Sequence, residues 1–293
     1  MLPSSFVSQL PQFAPAAYAV TAVFLWGASD FAGGYASRRA NAFVLTAFAH
    51  LCALVWMSVI AFASHASLPD QSSMLWAILA GAIGGFSLAI FYGALAAGQM
   101  GLSAPIAALL GAAIPTMVDI ALRGAPSRWS LIGFALAIIA IWLITRPDAK
   151  NDTSAEKGPP KGVTAAALAG VGFAGFYLCI HQATGSAIWG AAITRIGSLT
   201  ATAIGVVAIG APLKLDRPAL ALGFFAGLFD VTGTAFFIFA SEHGRLDEAV
   251  VITSLYPAIT VLLARLVLKE HFSRWKFIGL LAALAAVPLI AAG

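Results

Sequence analysis

Apolar runs of about twenty residues follow one another along almost the whole chain, separated by short polar turns. A run of that length crosses the ~30 Å hydrocarbon of a bilayer at about 1.5 Å per residue. The runs fall at 16–36, 42–63, 74–96, 102–122, 129–145, 162–181, 187–210, 218–241, 246–268 and 274–291. The pattern predicts an all-α integral membrane protein of ten transmembrane helices. The one long polar stretch, 146–161, holds Pro147, Asp148, Lys150, Asp152, Glu156, Lys157, Pro159 and Pro160. It predicts a flexible linker between 1–145 and 162–293, five helices each.

The two parts repeat one sentence. From Phe91 to Ile144 come a helix, the break Ala97-Gly98-Gln99-Met100-Gly101, a helix with Pro115 and Arg123, the turn Ser127-Arg128-Trp129, and a last helix with Gly133. From Phe237 to Ile290 come Ala240-Ser241-Glu242-His243-Gly244, then Pro257 and Arg265, then Ser273-Arg274-Trp275 and Gly279. An odd number of spans per copy inserts the copies in opposite senses, so the expected architecture is two inverted five-helix repeats with a site between them.

Composition agrees: 60% of residues are hydrophobic and 10% charged, against about a quarter charged in soluble domains. Met1 to Pro15 carries no Lys or Arg, so no signal-peptide n-region is expected there. Cys52 and Cys179 fall inside spans and read as small apolar side chains, giving no disulfide or metal site. The net charge of +4 reflects loop lysines and arginines, and no nucleic-acid partner is implied. Eleven of these (Arg38, Arg39, Arg146, Lys150, Lys157, Lys161, Lys214, Arg217, Lys269, Arg274, Lys276) share one side, while Arg123, Arg128 and Arg245 take the other. The positive-inside rule then places linker 146–161 in the cytoplasm and both termini on the periplasmic side of the inner membrane.

These residues resemble the drug/metabolite transporter superfamily in its ten-helix, EamA-type form. The likeness rests on Trp26-Gly27 in the first helix, the small-residue breaks before the fourth and ninth helices, Pro115 and Pro257, Leu268-Lys269-Glu270 before Ser273-Arg274-Trp275, and Gly133 and Gly279. It covers residues 16 to 291 and implies export or exchange of small metabolites, amino acids or drugs through a cavity between the halves. Two departures stand out: Glu270 has no counterpart in the first repeat, and family members usually keep both termini in the cytoplasm.

Ionisable groups inside a membrane cost about 2.5 to 3.5 kcal/mol each and are functional candidates by default. Asp30, His50, Arg195 and Asp230 qualify; His50 aligns with Arg195 between repeats, and Ser87 with Asp230. One reading makes Asp30–His50 and Asp230–Arg195 buried structural pairs. The other makes Asp30 and Asp230 proton-coupling groups and Arg195 the receptor of a carboxylate or other anionic group of the substrate. Trp26 is the tryptophan expected to line a cavity, with Tyr92, Tyr177 and Tyr256 as further substrate-binding candidates. Trp76, Trp129, Trp189 and Trp275 start spans and read as interfacial anchors. Asp119 and Arg123 form an i,i+4 pair at a helix end. Pro115 and Pro257 are hinge candidates. Gly81/Gly85 and Gly223/Gly227 have the spacing of close helix contacts, within the chain or across a homodimer.

Gly170-Val171-Gly172-Phe173-Ala174-Gly175 fits a dinucleotide fingerprint but lies inside an apolar span with no preceding strand, so it reads as a helix face. No phosphate loop, catalytic triad or metal-ligand spacing is present, and no cofactor is expected. The function expected is secondary-active transport of a small polar or amphipathic metabolite, amino-acid-like or drug-like, outward or by exchange, by alternating access and with proton coupling as one mode. The alternatives are a non-transporting membrane component of an assembly and a membrane-embedded enzyme, the latter without a visible nucleophile or metal cluster.

Overall fold

The computed structural model describes residues 4–97, 100–145, 162–268 and 273–291. Gly98-Gln99 of the first helix break, the linker 146–161 and Lys269-Glu270 lie outside the described residues. Among those described, every regular element is a helix: α1 (Ser4–Ala36), α2 (Ala42–Ala63), α3 (Gln71–Ala96), α4 (Met100–Arg123), α5 (Arg128–Thr145), α6 (Val163–Ile180), α7 (Ala187–Ala208), α8 (Arg217–His243), α9 (Leu246–Thr253), α10 (Tyr256–Leu268) and α11 (Arg274–Ala291). Among the described residues, seven spans are long and apolar enough to cross a membrane: α2, α3, the Ile106–Arg123 part of α4, α6, α7, α8, and α9 with α10 taken together as Leu246–Val267. The apolar stretches of α5 and α11 are shorter. α1 is 33 residues long, but Gly27, Ser29, Asp30, Gly33 and Gly34 dilute its apolar character.

Helix starts follow the capping residues. Asn41, Asp70, Ser186 and Asp216 each accept a hydrogen bond from a backbone N–H of the following first turn, satisfying donors that the helix itself leaves unmade.

The sequence reads 246–268 as one span, whereas the helix breaks at Ser254-Leu255. Pro257 has no N–H for the Thr253 carbonyl, and its ring crowds that carbonyl. The hydroxyl of Thr253 donates to the Ala249 carbonyl at 2.8 Å and that of Ser254 to Val251 at 2.7 Å, so side chains engage the backbone of the last turn before the break. α4 runs unbroken through Pro115; the segment 109–114 before it, Leu-Leu-Gly-Ala-Ala-Ile, offers no hydroxyl to take over carbonyls. The two prolines therefore act differently, and only Pro257 accompanies a broken helix.

Helix packing keeps its pattern when the halves are exchanged. α1 packs on α8 as α3 packs on α6; α2 on α8 as α3 on α7; α1 on α10 as α6 on α4; and α2–α7 and α5–α11 pair with their own counterparts. Small residues make these approaches possible. A Cβ at Gly81 would lie 1.8 Å from the Thr194 carbonyl oxygen, and one at Gly227 would lie 2.1 Å from that of Ala49. Both glycine pairs thus pack helices within the chain, Gly81/Gly85 against α7 and Gly223/Gly227 against α2.

Trp76, Trp129 and Trp275 are exposed, as anchors should be. Trp189 departs from that expectation: it is buried, its Nε1 donates to the Ala66 carbonyl at 2.9 Å, and its ring meets Phe62 edge-on. The carbonyl that draws it inward lies in the turn just after α2, far away in sequence.

Candidate functional site

Ionisable residues from both halves meet around one cavity, with ≈ 530 Å³ of open space when the solvent at its mouth is included. The first half contributes Trp26 and Asp30 from α1, His50 from α2, and Gly84, Gly85 and Leu88 from α3. The second contributes Phe173, Phe176 and Tyr177 from α6, Arg195 and Ser198 from α7, Asp230 and Thr234 from α8, and Tyr256 where α10 begins. Asp230 sits at the midpoint of α8 (Arg217–His243).

Arg195 is the hub of the polar groups and is 3% exposed. Its Nη1 forms an ion pair with Asp230 and lies 3.5 Å from His50 Nδ1; its Nη2 donates to Thr234 Oγ1 at 3.1 Å and its Nε to Thr194 Oγ1 at 3.1 Å. A guanidinium only donates, so His50 Nδ1 is the acceptor and the ring proton belongs on Nε2. His50 Nε2 has no partner of ordinary hydrogen-bond geometry, with the Gly85 backbone beside the ring.

Asp30 is 6% exposed, lines the cavity, and among the described residues has no hydrogen-bond or ion-pair partner. The second carboxylate on the cavity wall is Asp230. Of the two pairings the sequence allows, Asp230–Arg195 is made, whereas Asp30 is not bonded to His50.

The apolar wall is aromatic. Trp26 lies 6.0 Å from Tyr177 and 5.6 Å from Phe237, ring centre to ring centre, and Phe176 lies 5.5 Å from Tyr177. Trp26 Nε1 donates to the Asp230 carbonyl at 3.2 Å, and a Cβ at Gly233 would approach the indole to 2.7 Å, so a glycine makes room for the ring. The Tyr256 hydroxyl is buried without a partner. Its position follows from the α9–α10 break, which the Thr260 hydroxyl ties to α1 by donating to the Gly27 carbonyl at 3.1 Å.

Seven of the eight residues singled out as substrate-binding candidates therefore border one cavity: Trp26, Asp30, His50, Tyr177, Arg195, Asp230 and Tyr256. Tyr92 does not. It is fully buried, with its hydroxyl 3.0 Å from Ser29 Oγ and donating to the Ser29 carbonyl at 3.3 Å, and it ties α3 to α1 across Gly33. Thr234 and Ser198 carry no distinct signal in the sequence, because a hydroxyl in a membrane helix normally bonds its own backbone.

A second polar cluster joins the helix ends near Arg245. Arg123 Nε pairs with Asp119 at 3.1 Å, as the i,i+4 spacing predicts, and its Nη2 donates to His181 Nε2 at 3.0 Å. Asp119 is 3% exposed and also accepts from the Asp247 backbone N–H at 3.2 Å, so it joins α4 to α9. Arg245 pairs with Asp247 at 2.9 Å and donates to the Gly124 carbonyl at 2.9 Å. Burial, and then the neighbouring Arg123, hold the His181 imidazole below its usual value, which suits its acceptor role.

No group of three or more His, Cys, Asp or Glu side chains suited to a metal occurs among the described residues. The model of the EamA-like transporter family matches residues 14–146 and 160–292, once for each half of the chain. A solved structure described as "Crystal structure of protein" is similar to this chain, with a TM-score of 0.70 at 14% identity over 94% of this chain and 95% of that one. That likeness concerns the fold. No curated protein matches the chain.

Proposed function

We propose, from the premise that the chain belongs to the EamA-like transporter family, that it is a secondary-active transporter whose substrate site is the cavity between its halves. The observation that carries this reading is the meeting of buried ionisable groups from both halves inside the helices, Asp30 and His50 with Arg195 and Asp230. Charged groups at that depth are costly unless paired or in use, and a site shared between repeated halves can open to either side as one half rocks against the other. Ten spans in two inverted repeats follow if α1, α5 and α11 also cross and α9–α10 counts as one broken span. Broken helices lining a cavity are a recurrent feature of such transporters. The substrate is a small polar or amphipathic metabolite, exported or exchanged, and Asp30 and Asp230 are the groups through which protons would couple.

Flux decides the matter. Proteoliposomes loaded with a metabolite extract should release specific components, detected by mass spectrometry, and Leu88→Trp, which fills the cavity, should stop that release. Release unaltered by the filled cavity would overturn the reading. The bias of the loop charges predicts that both termini lie on the periplasmic side of the inner membrane; a C-terminal alkaline-phosphatase fusion should then be active, and an inactive one would reverse the orientation.

A further inference from the structure

We infer that the cavity takes an organic cation, an amine on an aromatic or apolar body, with Asp30 as its counter-ion; this rests on the cavity being the substrate site. Two carboxylates and one guanidinium face it, and the charge of the guanidinium is already matched by Asp230. Four of the five N–H groups of Arg195 go to Asp230, Thr194, Thr234 and His50, which leaves a single Nη2 N–H to a ligand. An anionic ligand group taking the guanidinium by two N–H groups would have to displace Asp230, and that would strand a carboxylate at the midpoint of α8.

Asp30 stands in the opposite condition. It is buried and bonded to no described residue, while the other carboxylate on the cavity wall, Asp230, is already matched by Arg195. A carboxylate without a partner in an apolar surrounding calls for a positive charge beside it, and an ammonium group supplies one. The Tyr256 hydroxyl, buried and unpartnered on the same wall, can accept a second N–H from that ammonium. Around these lie the faces and edges of Trp26, Phe173, Phe176 and Tyr177, which attract a cation through the ring quadrupole and cover an apolar body. The Trp26 indole cannot swing away freely, because Nε1 is bonded to the Asp230 carbonyl and Gly233 lies against the ring. The aromatic wall is therefore in place before the ligand arrives.

Three probes that share one phenyl-alkyl scaffold separate the charge classes: phenethylamine (cation), phenylalanine (zwitterion) and 3-phenylpropionate (anion). Binding of each to the purified protein in nanodiscs is measured by equilibrium dialysis. Phenethylamine should bind best and 3-phenylpropionate not at all. Asp30→Asn should weaken phenethylamine by roughly thirtyfold or more, as when a buried charge pair loses one partner, and Asp30→Glu, which keeps the charge, should recover part of that. Should Asp30→Asn fail to fold, the order of the three probes on the unaltered protein still decides. Preference for phenylalanine or 3-phenylpropionate, lost in Arg195→Gln, overturns the cation assignment while leaving the cavity as the substrate site. Binding of none of the three also overturns it, and the flux experiment with Leu88→Trp then judges the transporter reading separately.

Discussion

Removing both charges of the Arg195–Asp230 pair should cost clearly less than the sum of removing each alone. The two side chains are 4% and 14% exposed, so solvent screening does little for whichever charge is left behind. Arg195→Gln abolishes the ion pair and weakens the bonds to Thr194 and Thr234, leaving the Asp230 carboxylate unmatched; a loss of about 3–5 kcal/mol is expected for breaking such a pair. Asp230→Asn keeps an acceptor for the guanidinium and should cost about 1.5–3 kcal/mol, the usual value of a hydrogen bond to a charged group. In the double variant Arg195→Gln/Asp230→Asn neither member of the pair leaves a charge behind and two amides face each other. Its cost should therefore fall at least ~1.5 kcal/mol short of the sum of the single variants. Reversible unfolding by SDS in mixed micelles, followed by tryptophan fluorescence, gives the three free energies. Additivity to within ~0.5 kcal/mol would mean that the pair is not coupled, and the argument that Arg195 is unavailable to an anionic ligand would collapse.

Gly227→Ala puts a Cβ 2.1 Å from the Ala49 carbonyl oxygen, forcing α8 from α2, and should cost about 1–3 kcal/mol in the same assay; Gly93→Ala, whose Cβ meets nothing nearer than 3.8 Å, is the control, and equal costs would refute the packing account. Pro257→Ala restores a donor for the Thr253 carbonyl and should slow flux while leaving thermal stability unchanged or higher; unchanged flux with lower stability would deny the break a part in motion. His181 is held below its usual value when folded, so the unfolded chain takes up protons first as the pH falls. Its contribution to stability is complete above its unfolded value of about 6.5 and declines below it. His181→Gln should flatten the fall in stability between about pH 7 and pH 5, and an unaltered slope would show that acid acts elsewhere.

The repeat was legible because duplication preserves spacing: the breaks, the prolines and the Ser-Arg-Trp turns recur in order, and the packing of the halves follows the same exchange. Trp26, Asp30, Arg195 and Asp230 were legible because charges and an indole at mid-span stand out against an apolar background. What stayed hidden depends on partners distant in the chain. Nothing near Trp189 announces the Ala66 carbonyl, and Tyr92 looks as available as Tyr177 until Ser29 is seen to hold its hydroxyl. Asp30 and His50 are close enough in sequence to suggest a pair, yet Arg195 occupies one side of the imidazole. The α9–α10 break could have been read, since Thr253-Ser254 stands before Pro257 and no hydroxyl stands at 109–114 before Pro115.

Cavity access from both sides of the membrane tests the central claim most directly, and needs no knowledge of the substrate. With Cys52 and Cys179 replaced by alanine, Ser198→Cys places a single thiol on the cavity wall. In oriented membrane vesicles, right-side-out and inverted, a membrane-impermeant maleimide should label it from either face, and Leu88→Trp should reduce labelling from both. Labelling from one face alone, in vesicles of both orientations, would make the cavity a one-sided pocket and contradict transport by alternating access.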